Sequence, residues 1–174
     1  VIRTMRPAVE IKKNYIDMMS EESCRAMIHA VYEPHYEHFK EYFGTTLVGF
    51  FSDEPGFSNE IGHYHATLGR EGVFLPWNDN VVEILEEKTG FTAQKILNLL
   101  PALWHEAGAG TPVMRESYMD AVSDAYSRNF SWLIGNWCRA HGVIYTGHII
   151  EDQNAHQRLG YGPGHFFRSM AGQD

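Results

Sequence analysis

Two short apolar segments, each ending abruptly in acidic residues, constrain the fold of this chain most strongly. The first reads TTLVGFF (45–51) and the second reads VIYTGHII (143–150). Apolar side chains on consecutive positions are typical of strands that are covered on both faces, as in a parallel sheet. Between them, residues 113–141 carry apolar side chains at spacings of three and four, which predicts a long helix that is closed by Gly142. The order of strand, helix and strand predicts an α/β fold with parallel pairing.

The segment between the first strand and the long helix has a different character. Residues 56–112 are interrupted by glycines and prolines, and they contain two shorter helix signals, with Asn78 or Asp79 capping the first and Thr92 capping the second. No break in composition divides the chain into independent domains. We therefore expect one domain over residues 1–174, with 56–112 as an insertion subdomain over one face.

Helix signals also precede the first strand. Ser20 is followed by two glutamates, which is typical of a capped helix start with acids in the first turn. Pro34 is expected to kink or divide that helix, because it lacks a backbone N–H and clashes with the preceding turn. Gly44 is expected to end it.

Composition and charge narrow the classes of function. The chain has 174 residues, 44% of them hydrophobic, which is enough for one sizeable core. Its formal net charge of −8 repels phosphate backbones, so nucleic acid is a poor partner. No apolar run approaches the ~20 residues of a membrane span, and the first residues lack the apolar core of a signal peptide. Cys24 and Cys138 lie among apolar residues and are expected to be buried thiols.

Acidic residues follow both predicted strands. Asp53 and Glu54 come after the first strand, and Glu151 and Asp152 come after the second. In parallel α/β folds, functional sites lie at the carboxyl ends of strands. Hydrolysis of a glycosidic bond needs one carboxyl group to protonate the leaving oxygen and another to attack the anomeric carbon or activate water. The pattern favours Glu54 and Glu151 as catalytic and Asp53 and Asp152 as substrate-binding; the alternative is that these acids cap helices or lie on surface loops.

Two further side chains are candidates for substrate binding. Trp77 lies between Pro76 and Asn78 in a predicted loop, where its ring could stack on a sugar. Its alternative role is to anchor the insertion to the core. His148 lies on the second strand, where alternation places it on one face with Thr146 and Ile150. It could bond a substrate hydroxyl or influence an acid, or it could be an interior histidine with satisfied hydrogen bonds.

Histidine pairs raise the alternative of a metal-dependent hydrolase. His63 and His65 share one side of an extended segment and could bind a metal together with nearby acids. An ordinary loop explains the same spacing. No metal ligand is assigned from the sequence.

Several phrases, taken in order, resemble a known family of enzymes. They are YIDMMSEES (15–23), YEPHYEHFKEYFG (32–44), GFFSDEPGF (49–57), LPWNDN (75–80), LPALW (100–104) and the stretch from Tyr145 to Asp174. Together they resemble the catalytic domain of large bacterial glycoside hydrolases of the alpha-L-rhamnosidase-like kind, over nearly the whole chain. The resemblance implies a (β/α)8 TIM barrel, carbohydrate substrates of plant or microbial origin, and a calcium ion as a possible cofactor.

The resemblance also implies residue roles. Ser52-Asp53-Glu54-Pro55 is similar to the Asn-Glu-Pro strand end of many retaining barrel glycosidases, in which the glutamate is the acid/base. That similarity nominates Glu54 as the catalytic acid. Asp53 stands where these enzymes have an asparagine that binds a neighbouring sugar hydroxyl, and both retention and inversion stay open as mechanisms. Glu151 matches an acid at the following strand.

A complete barrel of this kind needs about 250 residues. The sequence offers two clear strands and a possible third within residues 1–12, so the chain is expected to be part of a barrel and inactive if its second carboxylate lies elsewhere. Its open strand edges would then pair with the remainder of the barrel or with a second copy. A non-catalytic carbohydrate-binding or scaffold domain is the alternative function, and bacterial cytoplasm, periplasm and exterior all remain open as locations.

Overall fold

A computed structural model describes residues 15–57, 68–71, 75–149, 160 and 162–174. Its two strands are β1 (Gly49–Asp53) and β2 (Ile144–His148). Its helices are α1 (Glu21–Met27), α2 (Glu33–Phe39), α3 (Val81–Thr89), α4 (Ala93–Leu99), α5 (Thr111–Tyr126), α6 (Trp132–Ala140) and α7 (Phe166–Met170). Single π-helical turns span Ile28–Tyr32 and Ser127–Ser131, and short 3₁₀ turns span Lys40–Tyr42, Leu100–Leu103 and Gly108–Gly110.

The expected (β/α)8 barrel is wrong for the part of the chain that the structure describes, which is mostly helical. A barrel needs a closed ring of hydrogen-bonded strands, whereas the described residues contain one sheet of two strands. Asp174 bonds β2 at Tyr145: its N–H donates to the carbonyl oxygen of Tyr145 over 2.9 Å, and its Oδ2 accepts from the N–H of Tyr145 over 3.0 Å. The possible strand within residues 1–12 lies outside the described residues.

The expected parallel pairing of the two strands is confirmed. The register runs from Gly49 opposite Ile144 to Asp53 opposite His148. The first strand lies later than the sequence predicts, because residues 44–46 form a turn and the strand continues as far as Asp53. Asp53, which was expected just beyond the strand, is therefore its last residue, and Glu54 follows it directly.

The expectation that both faces of the sheet are covered is wrong. One face packs on helices: Phe50 lies with its ring centroid 4.5 Å from that of Tyr32, and Tyr145 is fully buried. On the other face, Phe51 is 58% exposed and Ile144 is 48% exposed. An open face is unusual for parallel strands. It leaves one side of the sheet, including its carboxyl end, accessible to solvent.

Buried apolar side chains form two cores. The helical core joins α3, α4 and α5 and includes Leu75, Val81, Leu85, Ile96, Leu103, Met114, Tyr118 and Val122. The sheet core lies between the strands and α1, α6 and the two π turns, and it includes Met18, Cys24, Ile28, Tyr32, Phe130, Ile134, Cys138 and Tyr145. Phe57 packs against both cores, so the chain is anchored shortly after it leaves β1.

The two cysteines are buried free thiols, as expected. Burial raises the pKa of Cys24 and of Cys138 to about 12 in each case. Since the thiolate is the nucleophilic form, these side chains act as packing groups.

Local signals placed several helix ends correctly. The Ser20 hydroxyl accepts a hydrogen bond from the N–H of Ser23, and the Thr92 hydroxyl accepts one from Lys95. Pro34 divides the helical stretch that begins after Ser20, with α2 beginning beside it and a π turn before it. Widening the helix there accommodates a proline ring that would otherwise meet the carbonyl one turn earlier.

A cluster of four charged side chains ties α3, α5 and α7 together. Lys88 on α3 bonds both Asp120 and Asp124 on α5, and Arg168 on α7 bonds the same two carboxylates. Burial alone would raise the pKa of Asp120, but the hydrogen bonds from Lys88 and Arg168 outweigh it and lower that pKa. Burial likewise opposes the charge of Lys88, and its bonds to the two aspartates still raise its pKa. We call these four residues the interhelix cluster.

Candidate functional site

Two of the candidate residues meet because of the strand register. Asp53 and His148 are the final residues of β1 and β2 and lie directly opposite each other, so their side chains emerge on the same face of the sheet. His148 Nε2 lies 3.4 Å from Asp53 Oδ1. That distance is longer than an ordinary hydrogen bond, so the contact is mainly electrostatic.

Glu54 joins them through an unusual backbone conformation. It is the only non-glycine residue in the described segments with a positive φ, at 47°. A left-handed conformation costs a side-chain-bearing residue roughly 1–2 kcal/mol, and a following proline disfavours helical conformations further. The turn brings Glu54 Oε1 to 3.9 Å from His148 Nδ1, so the two ring nitrogens of His148 face two different carboxylates. We call Asp53, Glu54 and His148 the strand-end cluster.

The strand-end cluster is open to solvent. The side chains of Asp53, Glu54 and His148 are 75%, 53% and 48% exposed. The 56–112 segment, which was expected to lie over one face of the domain, could have covered this cluster. The described parts of that segment leave all three side chains accessible.

Neighbouring side chains hold the strand ends in place. The hydroxyls of Ser52 and Tyr145 share a hydrogen bond of 2.7 Å across the two strands. Burial raises the pKa of Tyr145 to about 12, so its hydroxyl stays protonated. The ring of Phe51 meets the His148 ring edge to face, with centroids 5.3 Å apart. Strand alternation could have revealed the Phe51–His148 contact, since both residues belong to the same face.

Gly147 allows the strands to approach closely at this end. A Cβ at this position would lie 2.2 Å from the backbone oxygen of Ser52. The backbone φ of Gly147 is also positive, at 155°. Only glycine fits at this position, opposite Ser52, without moving the strands.

The remaining candidates lie elsewhere. Trp77 is partly buried and packs against the helical core, which agrees with its alternative role as an anchor. Glu151, Asp152, His63 and His65 lie outside the described residues. In the described part of the chain, no group of three or more His, Cys, Asp or Glu side chains is arranged to hold a metal ion. No helix in that part is long and apolar enough to cross a membrane.

The strand-end cluster is suited to proton transfer. An imidazole between two carboxylates can take a proton from either side and return it to either side. The open face leaves room for a polar ligand to approach the carboxylates from solvent. A scan against protein-family models matches no family, and searches of curated proteins and of solved structures return no match.

Proposed function

We propose that the chain hydrolyses glycosidic bonds, with Glu54 as the proton donor. The observation that carries the proposal is the strained backbone of Glu54 at the carboxyl end of β1, where its carboxylate faces His148. Strained residues persist only where the surrounding structure enforces them, and they are concentrated at functional sites. The resemblance of GFFSDEPGF to glycosidase strand ends supports the same residue.

In this proposal the three side chains have separate tasks. Glu54 gives a proton to the oxygen of the leaving sugar as the glycosidic bond breaks. His148 lies beside it and can return a proton to the carboxylate for the next cycle. Asp53, the most exposed of the three, accepts hydrogen bonds from sugar hydroxyls. Glu151 remains our prediction for the second carboxylate and Asp152 for a further contact to substrate.

Leaving-group dependence tests the donor role of Glu54. Glycosides of nitrophenol depart without a proton, whereas alkyl glycosides and oligosaccharides need one. We expect Glu54→Gln to slow alkyl glycosides by about 10²- to 10⁴-fold and nitrophenyl glycosides far less. Glu83→Gln, which changes an exposed glutamate on α3, is the matched control and should leave both rates unchanged.

Two results would contradict the proposal. Equal loss on both substrate classes would show that Glu54 does not act by protonating the leaving group. Normal turnover of alkyl glycosides by Glu54→Gln would remove Glu54 from the mechanism.

A carbohydrate-binding domain without catalysis is the second candidate. The high exposure of Asp53 and Glu54 favours it, because carboxylates open to water are accessible to the hydroxyls of a sugar. Under this function, oligosaccharides bind and Asp53→Ala weakens binding, while no glycoside of either leaving-group class is hydrolysed. A turnover assay and a binding titration on the same preparation separate the two functions.

A further inference from the structure

A polar groove lies away from the strands, between α3 and the long helical stretch that contains α5 and α6. Its volume is about 380 Å³, within the roughly 300–1,000 Å³ that is usual for small-molecule sites. Its wall includes Ile84, Glu87 and Lys88 from α3, and Asp124, Arg128 and Trp132 from the opposite side. Arg128 lies in the π turn Ser127–Ser131, a local widening of the helix that is frequent at functional sites.

Trp132 presents an aromatic surface to this groove. Its side chain is 43% exposed, although large aromatic residues are usually more deeply buried. The guanidinium carbon of Arg139 lies 5.5 Å from the ring centroid. Arg139 is itself held by Asp174 Oδ1 at 2.9 Å and by the carbonyl oxygen of Gly172 at 3.1 Å. The indole is therefore oriented before any ligand arrives, which lowers the entropic cost of stacking on it.

The charged groups of the groove differ in whether they are paired. Lys88 and Asp124 are bonded to each other within the interhelix cluster. In contrast, Glu87 and Arg128 make no side-chain hydrogen bond or ion pair with any described residue, although they line the same groove. Their opposite charges stay apart, and the acceptor of Glu87 and the donors of Arg128 remain available to a ligand.

Charge balance defines the class of ligand. Two anionic side chains, Glu87 and Asp124, face two cationic ones, Lys88 and Arg128. A charged ligand would gain little from a balanced wall, whereas a neutral molecule with hydroxyls can bond both an acceptor and a donor. A pyranose ring adds an apolar C–H face that packs on an indole.

We propose that this groove binds a neutral saccharide, stacked on Trp132 and hydrogen-bonded by Glu87 and Arg128. The site is separate from the strand-end cluster and does not depend on the proposed hydrolysis. It would hold a sugar chain on the protein surface while leaving Glu54 free.

The indole N–H signals in a ¹H–¹⁵N spectrum test the proposal. The chain has four tryptophans, so the signal that disappears in Trp132→Phe identifies Trp132. The probes are the methyl glycosides of glucose, galactose, mannose and rhamnose, with cellobiose, maltose and methyl glucuronide. At least one neutral probe should shift the Trp132 signal saturably, with a dissociation constant on the order of 1 mM. Glu87→Ala and Arg128→Ala should each weaken binding by about tenfold.

Matched controls separate the groove from other surfaces. Glu83→Ala changes an exposed glutamate one turn earlier on α3, and Phe167→Ala removes an aromatic ring that is 78% exposed. Both should bind the probe as the unmodified chain does, as should Glu54→Gln. The proposal is overturned if no neutral probe shifts the Trp132 signal, if the glucuronide binds more tightly than every neutral sugar, or if Glu87→Ala and Arg128→Ala bind normally. Loss of the shift in Glu54→Gln would overturn the separation of the two sites.

Discussion

The interhelix cluster and the strand-end cluster are built from the same kinds of side chain and differ in how those side chains are satisfied. In the interhelix cluster, Arg168 lies 2.8 Å from Asp124, and Lys88 is only 21% exposed. In the strand-end cluster, the distances from His148 to the two carboxylates are 3.4 and 3.9 Å, and each of the three side chains is about half exposed or more.

The backbone beneath the two clusters differs as well. Lys88, Asp120 and Asp124 extend from regular helices, whereas Glu54 occupies a left-handed conformation directly before a proline. Charges that neutralise one another in a relaxed framework hold helices together. Charges that remain unsatisfied on a strained framework retain the capacity to bond something else. Because of this difference, we propose that the interhelix cluster stabilises the fold and that the strand-end cluster binds or acts on a ligand.

The largest effect should come from the framework of the strand-end cluster. Gly147→Ala places a methyl group 2.2 Å from the backbone oxygen of Ser52, so the strands must separate. We expect the free energy of unfolding to fall by about 3 kcal/mol, measured by chemical denaturation. Gly142→Ala is the matched control, because Gly142 has a φ of 72° and nothing within 4 Å of its added Cβ. It should cost only about 1 kcal/mol, and equal losses would show that strand approach is not the cause.

Removing one charge from each cluster should lower the free energy of unfolding by different amounts. Asp120→Asn weakens contacts to both Lys88 and Arg168, and we expect it to lower the free energy of unfolding by about 1 kcal/mol, a value discounted for partial exposure. Asp53→Asn is the matching change at the strand end, where the side chain is 75% exposed. It should alter stability by less than about 0.5 kcal/mol. A larger loss for Asp53→Asn than for Asp120→Asn would reverse the assignment.

Acid should destabilise the protein through Asp120 and Asp174, whose pKa values are lowered in the folded state. The pKa of Asp120 is lowered by its bonds to Lys88 and Arg168, and that of Asp174 chiefly by the backbone N–H of Tyr145. A lowered pKa contributes stability above the unfolded value of about 3.9 and loses it as pH falls through the folded value. The free energy of unfolding should therefore decrease below about pH 4. The decrease should be smaller in Asp120→Asn and smaller still in Asp120→Asn/Asp174→Asn; an unchanged slope in the double variant would contradict this origin.

Local features of the chain were predictable because their causes are local. A hydroxyl before two acids identified the cap at Ser20, and a proline identified the division of the helix at Pro34. The long helix and the parallel pairing also followed from short-range periodicity and element order. The same short-range signals were sufficient to predict that Asp53 and Glu54 lie at the end of a strand.

Features that depend on distant residues were not predictable. The apolar run TTLVGFF predicted coverage on both faces, but coverage depends on distant residues that pack over the strand, so the exposure of Phe51 could not be foreseen. The interhelix cluster joins Lys88 to residues more than 30 positions away, and its only signal was the helical spacing of Asp120 and Asp124. Glu54 has a left-handed backbone conformation, which a side-chain-bearing residue rarely adopts. A residue before proline favours an extended conformation, so the sequence predicts an extended backbone at Glu54.

A single variant tests both the backbone strain at Glu54 and the proposed role of its carboxylate in hydrolysis. Glu54→Gly keeps the turn and removes both the side-chain penalty and the carboxylate. We expect the free energy of unfolding to rise by about 1 kcal/mol, since glycine accepts a positive φ without steric cost. In the same preparation, hydrolysis of alkyl glycosides should fall to background. A variant that loses stability while retaining turnover would contradict the assignment of Glu54 to function.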